Sequence, residues 1–124
     1  MKQAQEIISY RTRGLGHHDI TPEVRSWVER QKIATGLLTV LIQHVLAALS
    51  LRQNADRDDL QTFFRQLENR GADPVPPAAS LYASQLSIPV RQGGLALGAR
   101  QGVFLLEQRE TANTRQLVLH LIGE

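Results

Sequence analysis

The segment GLLTVLIQHVLAALSL, from Gly36 to Leu51, sets the terms on which this chain can fold. It falls short of the roughly 20 apolar residues that cross a bilayer and has Gln43 and His44 at its centre, so it must be buried in protein instead. Periodicity alone does not separate strand from helix here. Gly36 and the branched Thr39, Val40, Ile42 and Val45 tip the balance toward a central pair of fully buried strands. A chain of 124 residues can enclose such a pair in only one core. This predicts a single domain over residues 1–124, with self-association as a source of further burial.

Two helices and several strands can be read around that segment. DITPEVRSWVERQK begins a helix: Thr21 can cap it, Pro22 suits its first turn, and Glu23 complements the positive end of its dipole. Val24, Trp27 and Val28 give it one apolar face. NADRDDLQTFFRQLENRG begins a second helix, with Asn54 or Asp56 as cap, Leu60, Phe63, Phe64 and Leu67 as the buried stripe and Gly71 as the stop. EIISYRT (Glu6–Thr12) reads as a first strand, and RGLGHHD as a turn that leaves His17 and His18 in solvent. ADPVPPAAS (Ala72–Ser80) reads as a loop. SQLSIPV, GGLALGARQGVFLLEQRE and RQLVLHLIGE read as closing strands, the middle one interrupted by a turn or bulge at Gly98 and Gly102. Strands, two helices and then a run of strands indicate an α+β fold.

Composition narrows the partners. Fourteen basic residues against twelve acidic ones, scattered singly, with two tyrosines and three phenylalanines to stack on bases, argue against nucleic acid. The absence of cysteine excludes disulfides, thiolate metal sites and a cysteine nucleophile. RQGGLALG lacks the Lys-Ser/Thr pair of a P-loop. The opening MKQAQEIISYRTRG lacks the apolar stretch of a secretory signal, which gives the expectation of a cytoplasmic protein with no membrane partner.

GLLTVLIQH leading to NAD, then DLQTFF, LSIPV, GGLALGARQGVFLLEQR and a terminal GE resemble the YjbQ family, also called the secondary thiamine-phosphate synthase enzyme family, in the same order from Asp19 to Glu124. The resemblance implies an α+β fold with a compact β-sandwich-like core of mixed or antiparallel strands and two main helices, assembled as a homotrimer. It also implies a polar, histidine-lined pocket near the subunit interface that can hold a metal, and a weak thiamine-phosphate-synthase-like activity. Compared position by position, this chain departs from the pattern. The family's Thr-Ser-Ala-Ser after the QH pair is Val45, Leu46, Ala47 and Ala48 here. A family histidine aligns with Pro76, another with Gln108, and a histidine-bearing stretch after the second helix is missing, which shortens the active-site loop.

On this reading His44 is the base, or the single metal ligand, of a degraded or altered site. Asp56, Glu107 and Arg109 are its catalytic neighbours, and Asn54, Gln101 and Arg109 its substrate-binding groups. Each has a plainer alternative. His44 can be a core histidine whose hydrogen-bond partner is Asn54, Asp56 or Gln101; Asn54 and Asp56 can be helix caps; Glu107 and Arg109, on one strand face, can be an ion pair. The planar fork of Arg109 suits phosphate, so a small phosphorylated ligand is expected. Zinc requires three or four ligands and His44 lacks them, so no cofactor is expected, with a divalent metal at His44 as the alternative. Two rivals remain: an active enzyme with a rebuilt site for a small phosphorylated substrate, and a non-catalytic trimeric scaffold that binds a partner through Ala72–Ser80.

Overall fold

The computed structural model describes residues 1–53, 57–72 and 75–124. In chain order the elements are β1 (Lys2–Arg11), β2 (Gly16–Asp19), α1 (Thr21–Arg30), β3 (Thr35–Ile42), β4 (Ala47–Gln53), α2 (Arg57–Asn69), α3 (Ala78–Leu81), β5 (Gln85–Arg91), β6 (Gly94–Leu95), β7 (Gln101–Glu107) and β8 (Thr114–Gly123). They form a five-stranded sheet in the order β1-β8-β3-β5-β6 and a three-stranded sheet in the order β2-β7-β4. Every pairing is antiparallel.

Alternation along the strands decides what lies between the sheets. Leu38, Val40 and Ile42 of β3, Leu117, Leu119 and Leu121 of β8, and Val103 and Leu105 of β7 face inward, with Val24, Trp27 and Val28 of α1 closing one side. The opposite face of β7 presents Phe104 and Leu106 to a second cluster with Ala48, Leu60, Phe64 and Ala78. Each such apolar side chain contributes roughly 1.5–3 kcal/mol on burial, so these two clusters fix the arrangement of the layers.

The Gly36–Leu51 run does form two strands, but not a hydrogen-bonded pair. β3 lies in the large sheet and β4 in the small one, and the chain crosses between them at residues 43–46. Nor is β3 buried on both faces: Leu37 and Leu41 look outward and are exposed. The strand enclosed on both faces is β7, whose GVFLLE is buried throughout.

Local signals set the helices with one change of role. Pro22 and Glu23 stand in the first turn of α1 as expected, but its first amide, Thr21 N–H, donates to Asp19 Oδ1 at 2.9 Å. The Thr21 hydroxyl instead accepts from Val103 N–H at 2.8 Å and ties the helix to β7. That contact explains Gly102, which is neither a turn nor a bulge. A Cβ there would stand 2.8 Å from Thr21 Oγ1, so only glycine lets the helix approach this closely.

RGLGHHD is the clearest departure from the sequence reading. Gly16–Asp19 is β2, paired with β7 so that His17 lies opposite Leu106 and His18 opposite Leu105. Both histidines are buried rather than solvated. The two glycines suggested a turn, but long-range pairing with an apolar strand overrode the local signal.

Candidate functional site

Glu107 ends β7 on the face that looks between the sheets. Its register neighbours are Gly16 on β2 and Ala47 on β4, which leave room for a carboxylate among apolar side chains. The group that fills that room with it is Arg115, from the opposite sheet. Arg115 occupies the same alternation phase of β8 as Leu117, Leu119 and Leu121 and therefore points inward. Its Nε donates to Glu107 Oε1 and its Nη2 to Oε2, both at 2.7 Å, a two-pronged pair with Glu107 fully enclosed and Arg115 4% exposed.

Two further donors complete the carboxylate. The Thr12 hydroxyl reaches Oε1 at 3.1 Å, and the backbone N–H of Arg109 reaches Oε2 at 3.1 Å. Burial alone would raise the Glu107 pKa. The hydrogen bonds from Arg115 and the Arg109 amide, the Arg115 charge and the Thr12 hydroxyl outweigh it and hold the carboxyl below its ordinary value. The expected Glu107–Arg109 side-chain pair does not form, because β7 stops at Glu107 and the chain turns. Arg109 gives its amide to the pair and leaves its guanidinium exposed.

His44 sits in the crossover at residues 43–46, half-buried at the end of the sandwich closed by Glu107 and Arg115. Among the described residues its partner is not Gln101. The backbone N–H of Leu46 donates to His44 Nδ1 at 3.0 Å. An amide can only donate, so Nδ1 supplies the lone pair and the neutral ring carries its proton on Nε2. Burial lowers the His44 pKa, the positive charges of Arg115 and Arg109 lower it further, and Glu107 opposes them. The ring is thus a neutral hydrogen-bond donor at physiological pH. Acting as a base or a metal ligand through Nε2 would require the Leu46 bond to break.

The wall beside His44 is a strap held by Gln108. Its side-chain Nε2 donates to the Pro76 carbonyl at 3.0 Å, and its Oε1 accepts from Ala78 N–H at 2.5 Å. Its backbone N–H donates to the Leu46 carbonyl, and Ala79 N–H donates to the Val45 carbonyl. Position 76 and position 108, where the resemblance leads one to expect histidines, therefore touch each other and adjoin the His44 crossover. Here one carries proline and the other an amide whose two ends both hold the strap.

The remaining sequence candidates divide plainly. Asn54 and Asp56 lie outside the described residues. Gln101 opens β7, at the opposite end from Glu107 and about 20 Å away at the usual strand rise, and its Oε1 accepts from Gly98 N–H. His17 meets the Arg52 guanidinium through Nε2, and His18 Nε2 bonds the Gly14 carbonyl at 2.9 Å with its ring edge-on to Tyr10. His120 faces outward, as its flanking leucines require, and bonds Gln3. Among the described residues no three His, Asp or Glu side chains gather as a metal ion would require. Arg115 and Thr12 were not anticipated, although an arginine in phase with three buried leucines is a legible sign of a buried ion pair.

Comparison with known proteins places this geometry in context. A family model described as UPF0047 protein YjbQ-like matches residues 5–124. The chain is 34% identical to UPF0047 protein sll1880 of Synechocystis sp., over 99% of this chain and 94% of that protein. It is 33% identical to UPF0047 protein YjbQ of Salmonella typhimurium, over 97% and 98% respectively. Among solved structures, hypothetical protein APE1520 from Aeropyrum pernix K1 matches with a TM-score of 0.79 at 25% identity over 100% of both chains. A YbjQ-like protein of unknown function from Sulfolobus solfataricus P2 matches with a TM-score of 0.78 over 99% of this chain and 100% of that one; at 20% identity it is a likeness of fold alone.

Proposed function

Because the chain belongs to the UPF0047 YjbQ-like family, we propose that the crossover around His44 is an altered site that captures a small phosphate-bearing ligand through hydrogen-bond donors, without a resident metal and with at most weak thiamine-phosphate-synthase-like activity. One observation carries this reading: among the described residues, the side-chain acceptors that adjoin His44 are committed internally, and the donors are not. Glu107 accepts from Arg115, Thr12 and the Arg109 amide; His44 Nδ1 accepts from Leu46; Gln108 Oε1 accepts from Ala78. His44 Nε2–H and the exposed guanidinium of Arg109 remain. Metals need lone pairs, whereas phosphate offers acceptors, and a planar guanidinium matches it geometrically.

The strap argues against the scaffold alternative. In the described part of Ala72–Ser80, Pro76 and Ala78 are bonded to Gln108 and Ala78 is buried, which suits a pocket wall better than a docking peptide. Self-association as a homotrimer belongs to the same proposal. The outward face of the five-stranded sheet aligns Ile7, Val118 and Leu41 in one row and Ile122 with Leu37 in another, an apolar surface suited to a second copy. Light scattering should then give about three times the 13.8 kDa chain mass, and a monomer at micromolar concentration would overturn the trimer.

The site itself is tested by elemental analysis of untagged protein beside His44→Ala, with calorimetric titration of inorganic phosphate into wild type, His44→Ala and Arg109→Gln. The expected result is no stoichiometric metal and phosphate binding weakened about tenfold by either substitution, the loss of one charge-assisted or donor contact. A metal that disappears in His44→Ala, or phosphate binding indifferent to both changes, would overturn it.

A further inference from the structure

A concavity whose lining does not include His44 lies between α2 and the turns at the ends of β1 and β7, with a volume of about 390 Å³. That falls within the range of roughly 300–1,000 Å³ typical of small-molecule sites. Its floor sets the apolar Leu15 and Phe64 beside the buried His17 and His18. One wall is the stripe Gln61, Arg65 and Glu68, which follows the i, i+4, i+7 spacing of a single helix face beside the buried stripe of Leu60 and Phe64. The other wall brings Arg13 and Glu110 together from two separate turns.

That second wall is built firmly. Gly14 has a φ of +108°, and a Cβ on it would stand 2.4 Å from the Glu110 carbonyl oxygen, so the two turns are in backbone contact. His18 Nε2–H donates to the Gly14 carbonyl, and Thr12 N–H to the Asn113 carbonyl, which anchor the same turns to the strands below. The backbones that carry Arg13 and Glu110 are therefore held close to one another. Each wall carries one cation and one anion. Among the described residues none of Arg13, Arg65, Glu68 and Glu110 stands within ion-pair distance of an opposite charge. Two guanidinium groups and two carboxylates, all on exposed side chains, surround this floor and form no ion pair with one another.

We propose that this cleft is a binding site for a small zwitterion with an apolar body, of the α-amino-acid class. The ligand's carboxylate would meet an arginine, its ammonium a glutamate, and its side chain the Leu15–Phe64 floor. A simple anion such as phosphate would meet the two carboxylates as well as the two arginines and is disfavoured here. This separates the cleft chemically from the His44 site, and the two proposals stand or fall independently.

The test is titration of the isotope-labelled full chain with L-phenylalanine, followed by the backbone amide signals of Gly16, Arg65 and Glu68. Phenylacetate, phenethylamine and inorganic phosphate serve as anion-only, cation-only and acceptor-only probes. L-Phenylalanine should shift these three signals with millimolar or tighter affinity, and Arg65→Gln and Glu68→Gln should each weaken it about tenfold, with Glu29→Gln on α1 as a neutral control. Two outcomes would overturn the proposal: no shifts up to about 10 mM, or equal shifts with phenylacetate alone. Affinity unchanged in Glu68→Gln would also overturn it, by showing that the carboxylate takes no part.

Discussion

Replacing Glu107 with glutamine removes one charge while keeping nearly the same shape, and should be among the most damaging single changes in this chain. Glutamine offers one acceptor oxygen where the carboxylate offers two, and its amide nitrogen would face one of the Arg115 donors. Arg115, 4% exposed and bonded to Glu107 through Nε and Nη2, would be left as a buried cation without a counter-charge. Breaking a buried pair from one side costs about 3–5 kcal/mol. That is a large share of the roughly 5–15 kcal/mol that stabilises a typical domain. For a chain of this size it corresponds to a fall in Tm of about 10–20 °C.

The double variant Glu107→Leu/Arg115→Met should recover most of the loss, because it also removes the stranded charge. Thr12 keeps its alternative partner in that variant, since its hydroxyl also exchanges hydrogen bonds with the Asn113 backbone. The assay is urea unfolding of wild type, the single variant and the double variant at neutral pH, repeated under acid conditions. The folded carboxyl has a pKa below its ordinary 4.5, so its contribution is complete above that value and is lost as pH falls through the folded pKa. Glu107→Gln should lack that part of the acid limb. A single variant within about 1 kcal/mol of wild type, or a double variant no better than the single, would refute the reasoning.

Gln108→Ala removes both side-chain bonds to the strap; it should cost about 1–3 kcal/mol and accelerate hydrogen exchange at the Ala78 amide, whereas unchanged exchange would mean that packing alone holds the strap. Gly14→Ala places a Cβ against the Glu110 carbonyl at a φ of +108° and should destabilise by about 1–3 kcal/mol, measured by thermal unfolding beside Gly94→Ala, where a Cβ meets nothing. The His44 ring should titrate below 6.5 by NMR, since burial and the nearby Arg115 and Arg109 charges disfavour its protonated form. The folded state then takes up fewer protons than the unfolded one, so this contribution to stability is complete above pH 6.5 and is lost as pH falls toward the folded pKa, a slope that His44→Ala should remove.

What could be read from the sequence was local, and what could not was a matter of which strand meets which. Helix α1 needed only Pro22, Glu23 and the Val24–Trp27–Val28 stripe, all within one turn or two of each other. The stripe of α2 and the alternation of β8 were legible for the same reason. The placement of β3 and β4 in different sheets was not, because an apolar run reports that it is buried without reporting against what. His17 and His18 were misread for the same cause: their burial comes from β7, far along the chain. Around the site, the structure places His44 close enough to Glu107 for the carboxylate's charge to act on the ring. Gln101 was wrongly grouped with them, because residues on one strand can stand at opposite ends of it.

The location and the chemistry of the His44 site follow from one structural demand. The chain leaves the large sheet at Ile42 and enters the small one at Ala47, and the sandwich must be closed where it crosses. Apolar side chains fill the interior from Leu121 to Leu117, but at the level of Arg115 and Glu107 an ion pair across the gap takes their place. A buried carboxylate requires all its lone pairs to be occupied, and the Thr12 hydroxyl and the Arg109 amide are drawn in to supply what Arg115 does not. The crossover meets the same demand through its backbone: Val45 and Leu46 bond to Ala79, Gln108 and His44, so the aliphatic side chains at residues 45–48 leave these backbone groups satisfied. Among the described residues, closing the sandwich in this way takes up the Glu107, Gln108 and His44 Nδ1 acceptors and leaves His44 Nε2–H and the exposed Arg109 guanidinium uncommitted. The proposed preference of this site for acceptor-rich ligands would then follow from what holds the two sheets together beneath it.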